Sequence, residues 1–167
     1  MSSEIHLALR FDSEWSPSSI LTVNTIQTHQ DVINQNGITW WGKFGSGIAD
    51  KKFNQIKNQI LNTKTYAFLF ENAPFDKAYI AEITDILDCY PSSESNLIPQ
   101  YYRIEAKNYQ RFFKFKQFSL SQRHVLLKDL VLYNNPVKGS LEAGFAGASS
   151  LFYVAIPDYF KKELIHE

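Results

Sequence analysis

A chain of 167 residues, 44% hydrophobic and 20% charged, has the size and composition of one ordinary globular domain with a single core. Its formal net charge of zero excludes a global electrostatic pull on nucleic acid. The lone cysteine, Cys89, excludes an internal disulfide and a thiolate metal cluster; with no signal-peptide core and no apolar run of membrane-spanning length, a reducing cytoplasm is the expected setting.

In chain order, Ile5, Leu7, Leu9 and Phe11 alternate with His6, Ala8 and Arg10, the pattern of a half-buried strand. Residues 12–19, rich in serine, read as a loop carrying Trp15, which either folds back onto the core or guards a site. Residues 25–36 read as a helix capped by Asn24 or Thr25 and stopped by Gly37. Residues 38–41 follow as a short strand holding Trp40 and Trp41. A second helix begins at a capping Asp50, with Phe53, Ile56 and Ile60 at helical spacing.

The clearest strands come next. Tyr66, Phe68 and Phe70 share one face, the turn Asn72-Ala73-Pro74 follows, and Tyr79, Ala81 and Ile83 alternate beyond it, which predicts a hairpin. Residues 88–99 are an irregular, proline- and serine-rich excursion. Arg103, Lys107 and Arg111 would form one basic stripe if that piece were helical. Residues 112–118 read as a strand with Phe113 and Phe115 on one face and Lys114 and Lys116 on the other. Residues 131–133 and 151–156 supply two further strands around a small-residue loop, 139–150, at the mouth of the fold. Together these predict an α+β fold: a small mixed β-barrel of about six strands flanked by helices, spanning residues 1–156. The amphipathic stretch 157–167 reads as a tail, or as the start of a linker to a further domain.

Charge is segregated along the chain. Residues 71–94 hold six acids against the single base Lys77, and residues 103–128 hold seven bases against the single acid Glu105. That allows either a basic side or a mixed solvated surface.

The segments G-I-T-W-W-G-K-F-G-S-G, T-Y-A-F-L-F-E-N-A-P-F-D-K-A-Y-I-A-E-I-T-D-I, Q-R-F-F-K-F-K-Q-F and Y-N-N-P-V-K-G-S occur in an order that resembles the YTH and EVE domains of the PUA-like superfamily, over residues 5–153. The first is similar to that family's tryptophan segment, the second to its hairpin, the third to its aromatic strand and the last to its N-K-P turn. The resemblance implies a module that binds one modified base, flipped from a strand, in an aromatic cage. Such a cage stacks rings on the base at roughly 1–3 kcal/mol per base, and a methylated amine fills an apolar slot that the unmodified amine leaves underfilled.

The resemblance carries the first cage tryptophan to Trp41, or to Trp40 in a register one residue off. The family's second cage tryptophan has no counterpart, because this chain has no Trp in the excursion; Tyr90, Tyr101, Tyr102 and Tyr109 are the substitutes. Asn135 and Lys43 are the expected polar contacts, while Arg111, Lys114 and Lys116 would meet phosphates, which position a strand without reading its sequence. The implied partner is nucleic acid carrying a modified base, DNA slightly ahead of RNA, with a nuclease or motor domain in the same parent protein as in modification-dependent restriction. A stand-alone reader of methylated RNA is the variant within that class. A protein-interaction or small-ligand module with the aromatics as core is the alternative outside it.

No enzyme constellation emerges. His6, His29, His124 and His166 lack metal-ligand spacing and read as solvent-facing. Cys89 has no base partner in sequence, and the glycine-rich 139–147 stretch lacks the G-K-[ST] ending of a phosphate loop. The expectation is a binding domain without cofactor or metal.

Overall fold

The period-two runs become neighbouring strands of one sheet in the computed structural model, which describes residues 4–18, 20–44, 48–72, 76–104, 109–147 and 149–165. The strands are β1 (His6–Phe11), β2 (Glu14–Ser18), β3 (Leu21–Asn24), β4 (Ile38–Phe44), β5 (Thr65–Glu71), β6 (Lys77–Leu87), β7 (Tyr109–Gln122), β8 (Val131–Leu132) and β9 (Leu151–Ala155). The helices are α1 (Thr25–Asn36), α2 (Asp50–Ile60), α3 (Arg123–Asp129), α4 (Ser140–Gly144) and α5 (Asp158–Ile165). Two short 3₁₀ segments, η1 (Ser92–Leu97) and η2 (Gln100–Arg103), occupy the excursion.

Seven strands form a mixed sheet in the order β4-β7-β6-β5-β1-β9-β8, and β2 and β3 form a separate hairpin. Only β1 and β5 run parallel among these pairs. The α+β class is as expected, but the strands outnumber the expected six. No pairing of β4 with β8 closes the sheet among the described residues, so it is not a hydrogen-bonded barrel. Three local expectations also change. Residues 14–18 pair with β3 instead of looping, residues 140–144 form α4, and Arg111 lies on a strand, so it shares no helical stripe with Arg103. Lys107, and Ala73 and Pro74 of the expected turn, lie outside the described residues.

Both sheet faces are covered. On one, Leu7, Leu9, Leu69, Ile83 and Phe113 pack under Phe53 and Ile56 of α2. On the other, Phe68, Phe70 and Val154 pack under α3, α4 and α5, which contribute Leu126, Leu141, Phe160 and Leu164, with Phe145 just beyond the end of α4. Central β5 is therefore buried at every position, where a half-exposed strand would alternate. Each fully buried Phe or Leu contributes roughly 1.5–3 kcal/mol.

Two irregularities aim side chains that strict alternation would send the wrong way. Gln117 adopts φ 62° where the β6–β7 register shifts between Ile80 and Glu82. That bulge turns Phe118 onto the same side as Phe115, so both rings reach Trp41, at 5.8 and 6.3 Å between centroids. A second shift, between Ile83 and Asp85, puts Ile83 and Ile86 in one cluster.

Helix α1 forms as its sequence dictates. Asn24 Oδ1 accepts from the Gln27 N–H at 2.9 Å, and Gly37, at φ 83°, donates its N–H to the Ile33 carbonyl at 2.7 Å. Helix α2 differs: Ala49 is its N-cap, and Asp50 sits in the first turn, accepting from Arg111 Nη2 at 2.9 Å.

A third cluster lies at the β4 edge, where Trp40, Phe112 and Tyr109 meet Ile98, Tyr101 and Tyr102. Its closest approach is at Gly42, where a Cβ would meet Tyr102 at 2.8 Å, Tyr109 at 2.9 Å and Phe112 at 3.0 Å. All three contacts are rings locked in packing. Gly42→Ala is therefore expected to destabilise the fold by about 1–3 kcal/mol, read as a lower urea midpoint. An unchanged midpoint would show that the rings relax freely.

Candidate functional site

Trp40 and Trp41 are neighbours on a strand, so their side chains leave on opposite faces. Trp40, 1% exposed, sits in the edge cluster; its Nε1 donates to Glu94 Oε2 at 3.2 Å, and Lys114 Nζ lies 5.4 Å from its ring. Trp41 faces the other way and borders a cavity of about 240 Å³. That is below the roughly 300–1,000 Å³ typical of drug-sized ligands.

The cavity lies where several chain ends converge. Phe11 and Asp12 come from the end of β1, Trp15 from the β2–β3 hairpin, and Thr25 from the start of α1. Gly42, Lys43 and Phe44 close β4, and Asn72 follows β5. Tyr101, Tyr102 and Tyr109 arrive from η2 and the start of β7. Of the sequence candidates, the fold thus brings together Trp41, Tyr101, Tyr102, Tyr109 and Lys43. Trp40, Tyr90, Asn135, Arg111, Lys114 and Lys116 do not line this cavity. Tyr90 packs edge-on against Phe112, Asn135 belongs to the turn before α4, and Lys116 borders a separate surface depression with Lys64 and Glu82.

One residue, expected at the surface, organises the walls. His29 is fully buried, and its ring stacks on Trp41 with centroids 4.3 Å apart at 28°. Its Nδ1 lies 2.6 Å from the Thr25 carbonyl and its Nε2 lies 2.8 Å from the Tyr102 hydroxyl. A carbonyl only accepts, so Nδ1 carries the proton and Nε2 accepts from Tyr102. Tyr102 in turn stacks on Tyr101 at 4.2 Å. Burial raises both phenols well above their ordinary range, so both remain neutral. The signal was legible in principle, because His29 sits between Ile26 and Ile33 on the apolar stripe of α1.

The polar lining is also specific. The Asp12 carboxylate accepts from Asn72 Nδ2 at 2.8 Å, which fixes the amide and turns Oδ1 away from it. Asn72 Oδ1 and Trp15 Nε1 are buried and have no partner among the described residues. Lys43 Nζ donates to the Phe44 carbonyl at 2.9 Å, and burial lowers its pKa. Trp15 is half-buried, packing on the edge cluster as well as lining the cavity.

The segregated charges fold back on each other. The acid-rich and base-rich stretches include antiparallel β6 and β7, with Asp85 opposite Lys114 and Glu82 opposite Lys116. Lys114 pairs with Glu94 at 3.0 Å, and Arg111 with Asp50 at 2.9 Å. The result is a mixed surface around β7. Among the described residues no three His, Cys, Asp or Glu side chains converge to hold a metal ion, and no helix is long and apolar enough to cross a membrane.

His6 is the second buried imidazole; its Nδ1 accepts from the Tyr66 N–H at 3.0 Å. Burial holds both His6 and His29 at about 4, below the ordinary 6.5. Their folded values lie below the unfolded value, so the unfolded chain binds more protons between pH 6.5 and 4. Stability is therefore expected to fall as pH drops through that window. Thermal melts across it should show the loss, with a shallower slope in His29→Gln; identical slopes in both proteins would contradict the assignment.

A solved structure similar to the chain is the YTH domain of the Zygosaccharomyces rouxii MRB1 protein in complex with N6-methyladenosine RNA, at 16% identity and a TM-score of 0.44, covering 96% of this chain and 85% of that one. No curated protein matches. The Pua-like family model matches residues 18–134, well over half of the sequence, so the chain belongs to the Pua-like family.

Proposed function

We propose that the chain is a binding module that takes a single modified base, turned out of a nucleic-acid strand, into the cavity beside Trp41. The observation that carries this reading is the convergence of Trp41, Tyr101, Tyr102 and Tyr109 from separate segments on one cavity of about 240 Å³. Membership of the Pua-like family supports it.

In this reading the rings supply stacking and apolar contact, worth roughly 1–3 kcal/mol per base. His29 covers one face of Trp41 and holds Tyr102, so the walls are set before a ligand arrives and little ordering entropy is lost on binding. Trp15 and Asn72 line the same cavity, and their Nε1 and Oδ1 are buried beside it without a partner among the described residues. Lys43 and Arg10 supply cations at the cavity wall, while Arg111 and Lys114 stand in ion pairs that a phosphate would have to open.

The test is a titration of short DNA and RNA oligonucleotides, unmodified or carrying N6-methyladenine, 5-methylcytosine or 5-hydroxymethylcytosine, at fixed moderate salt. One modified oligonucleotide is expected to bind at least about tenfold more tightly than its unmodified form, with that margin removed by Trp41→Ala; the lost stacking of ~1–3 kcal/mol corresponds to such a factor. Because Trp41 is part of the core, Trp41→Phe serves as the variant if the alanine form unfolds. Preference for a DNA modification would fit the specificity domain of a restriction or defence protein, and preference for RNA a stand-alone reader. Equal binding to modified and unmodified strands would overturn the proposal.

A further inference from the structure

Resting on that reading, we infer that the site engages two nucleotides, the second stacking through its base on Phe44 at the rim of the cavity. Phe11, Trp41, Tyr101, Tyr102 and Tyr109 are each at most 7% exposed, whereas Phe44 is 47% exposed. A half-exposed ring bordering a ring-lined cavity offers apolar, polarisable surface where the chain of a strand must leave.

The local structure puts it there. The β4–β7 register shifts between Lys43 and Phe44, so Phe44 lies opposite Tyr109 and Gln110 is passed over. Irregularities of this kind re-aim side chains at sheet edges. Two ring contacts then hold Phe44: Tyr109 at 5.6 Å, nearly perpendicular, and Trp15 at 5.4 Å. An exposed aromatic held by neighbours loses little rotamer freedom on binding. Base stacking on such a ring is tolerant of sequence, since every base has a π face.

Lys43 completes the arrangement. It lines the same cavity, is the residue next to Phe44, and its Nζ is tethered to the Phe44 carbonyl. A cation at the cavity wall, tethered to the backbone of the rim residue, would meet the phosphate linking the two nucleotides. A nucleotide meets both features at once: a flat apolar ring and an adjoining anion.

The experiment uses DNA and RNA trinucleotides centred on N6-methyladenine, 5-methylcytosine or 5-hydroxymethylcytosine, each made with intact or abasic neighbours. In the wild type, the intact form of whichever centre binds is expected to be about tenfold tighter than the abasic form, the size of one base–aromatic stack. Phe44→Ala should abolish that ratio and Phe44→Trp preserve it. Equal binding of intact and abasic forms by the wild type, or an undiminished ratio in Phe44→Ala, would overturn the inference while leaving the base-binding cavity standing. Binding of no trinucleotide would overturn both.

Discussion

Two adjacent tryptophans on an edge strand impose the constraint from which the site follows. Their side chains leave β4 on opposite faces, so an edge that could have been half solvated must be covered twice. The 3₁₀ segments and Glu94 cover Trp40, while α1, through His29, covers Trp41. The buried imidazole links the two covers: stacked on Trp41, it accepts from Tyr102, which packs against Gly42 on the Trp40 side. Desolvation keeps that imidazole neutral, and the neutral form is the one that can donate to Thr25 and accept from Tyr102 at once.

The cavity is a by-product of these covers meeting imperfectly. Strand ends β1, β4 and β5, the hairpin carrying Trp15 and the tyrosines of η2 converge without filling the space between them. Beside it an indole N–H and an amide oxygen are buried with no partner among the described residues, an arrangement that costs stability. Electrostatics adds little long-range pull, because the acid-rich and base-rich stretches lie against each other as β6 and β7. Affinity in this account must therefore come from short-range stacking and hydrogen bonding, with Lys43 as a local cation.

Much of the fold was legible in the sequence. The β5–β6 hairpin, the aromatic face of β7 and the Asn24 and Gly37 ends of α1 followed from period and cap chemistry, and the resemblance pointed to Trp41, Tyr101, Tyr102 and Tyr109, which line one cavity. What was not legible depends on non-local covering or local irregularity. His29 read as solvent-facing because it lacked metal-ligand spacing, although its place between Ile26 and Ile33 on α1 marked the buried stripe. Phe118 landed beside Phe115 only because Gln117 takes a left-handed conformation, and no glycine marked the bulge. Residues 14–18, with Pro17 and their serines, lack strand character and pair only because β3 lies alongside. Arg111 and Lys114 looked free for phosphates because Asp50 and Glu94 are distant in sequence from them.

The three tryptophans provide the most direct measurement, since each gives one indole N–H signal in a nitrogen–proton correlation spectrum and they occupy different places. Trp15 and Trp41 line the cavity, while Trp40 is bound to Glu94 on the opposite face. On titration with an oligonucleotide carrying the preferred modified base, the account predicts that the Trp15 and Trp41 signals move together and saturate while Trp40 stays in place. Movement of Trp40 alone, or of none of the three while the oligonucleotide binds, would place the ligand elsewhere and contradict it.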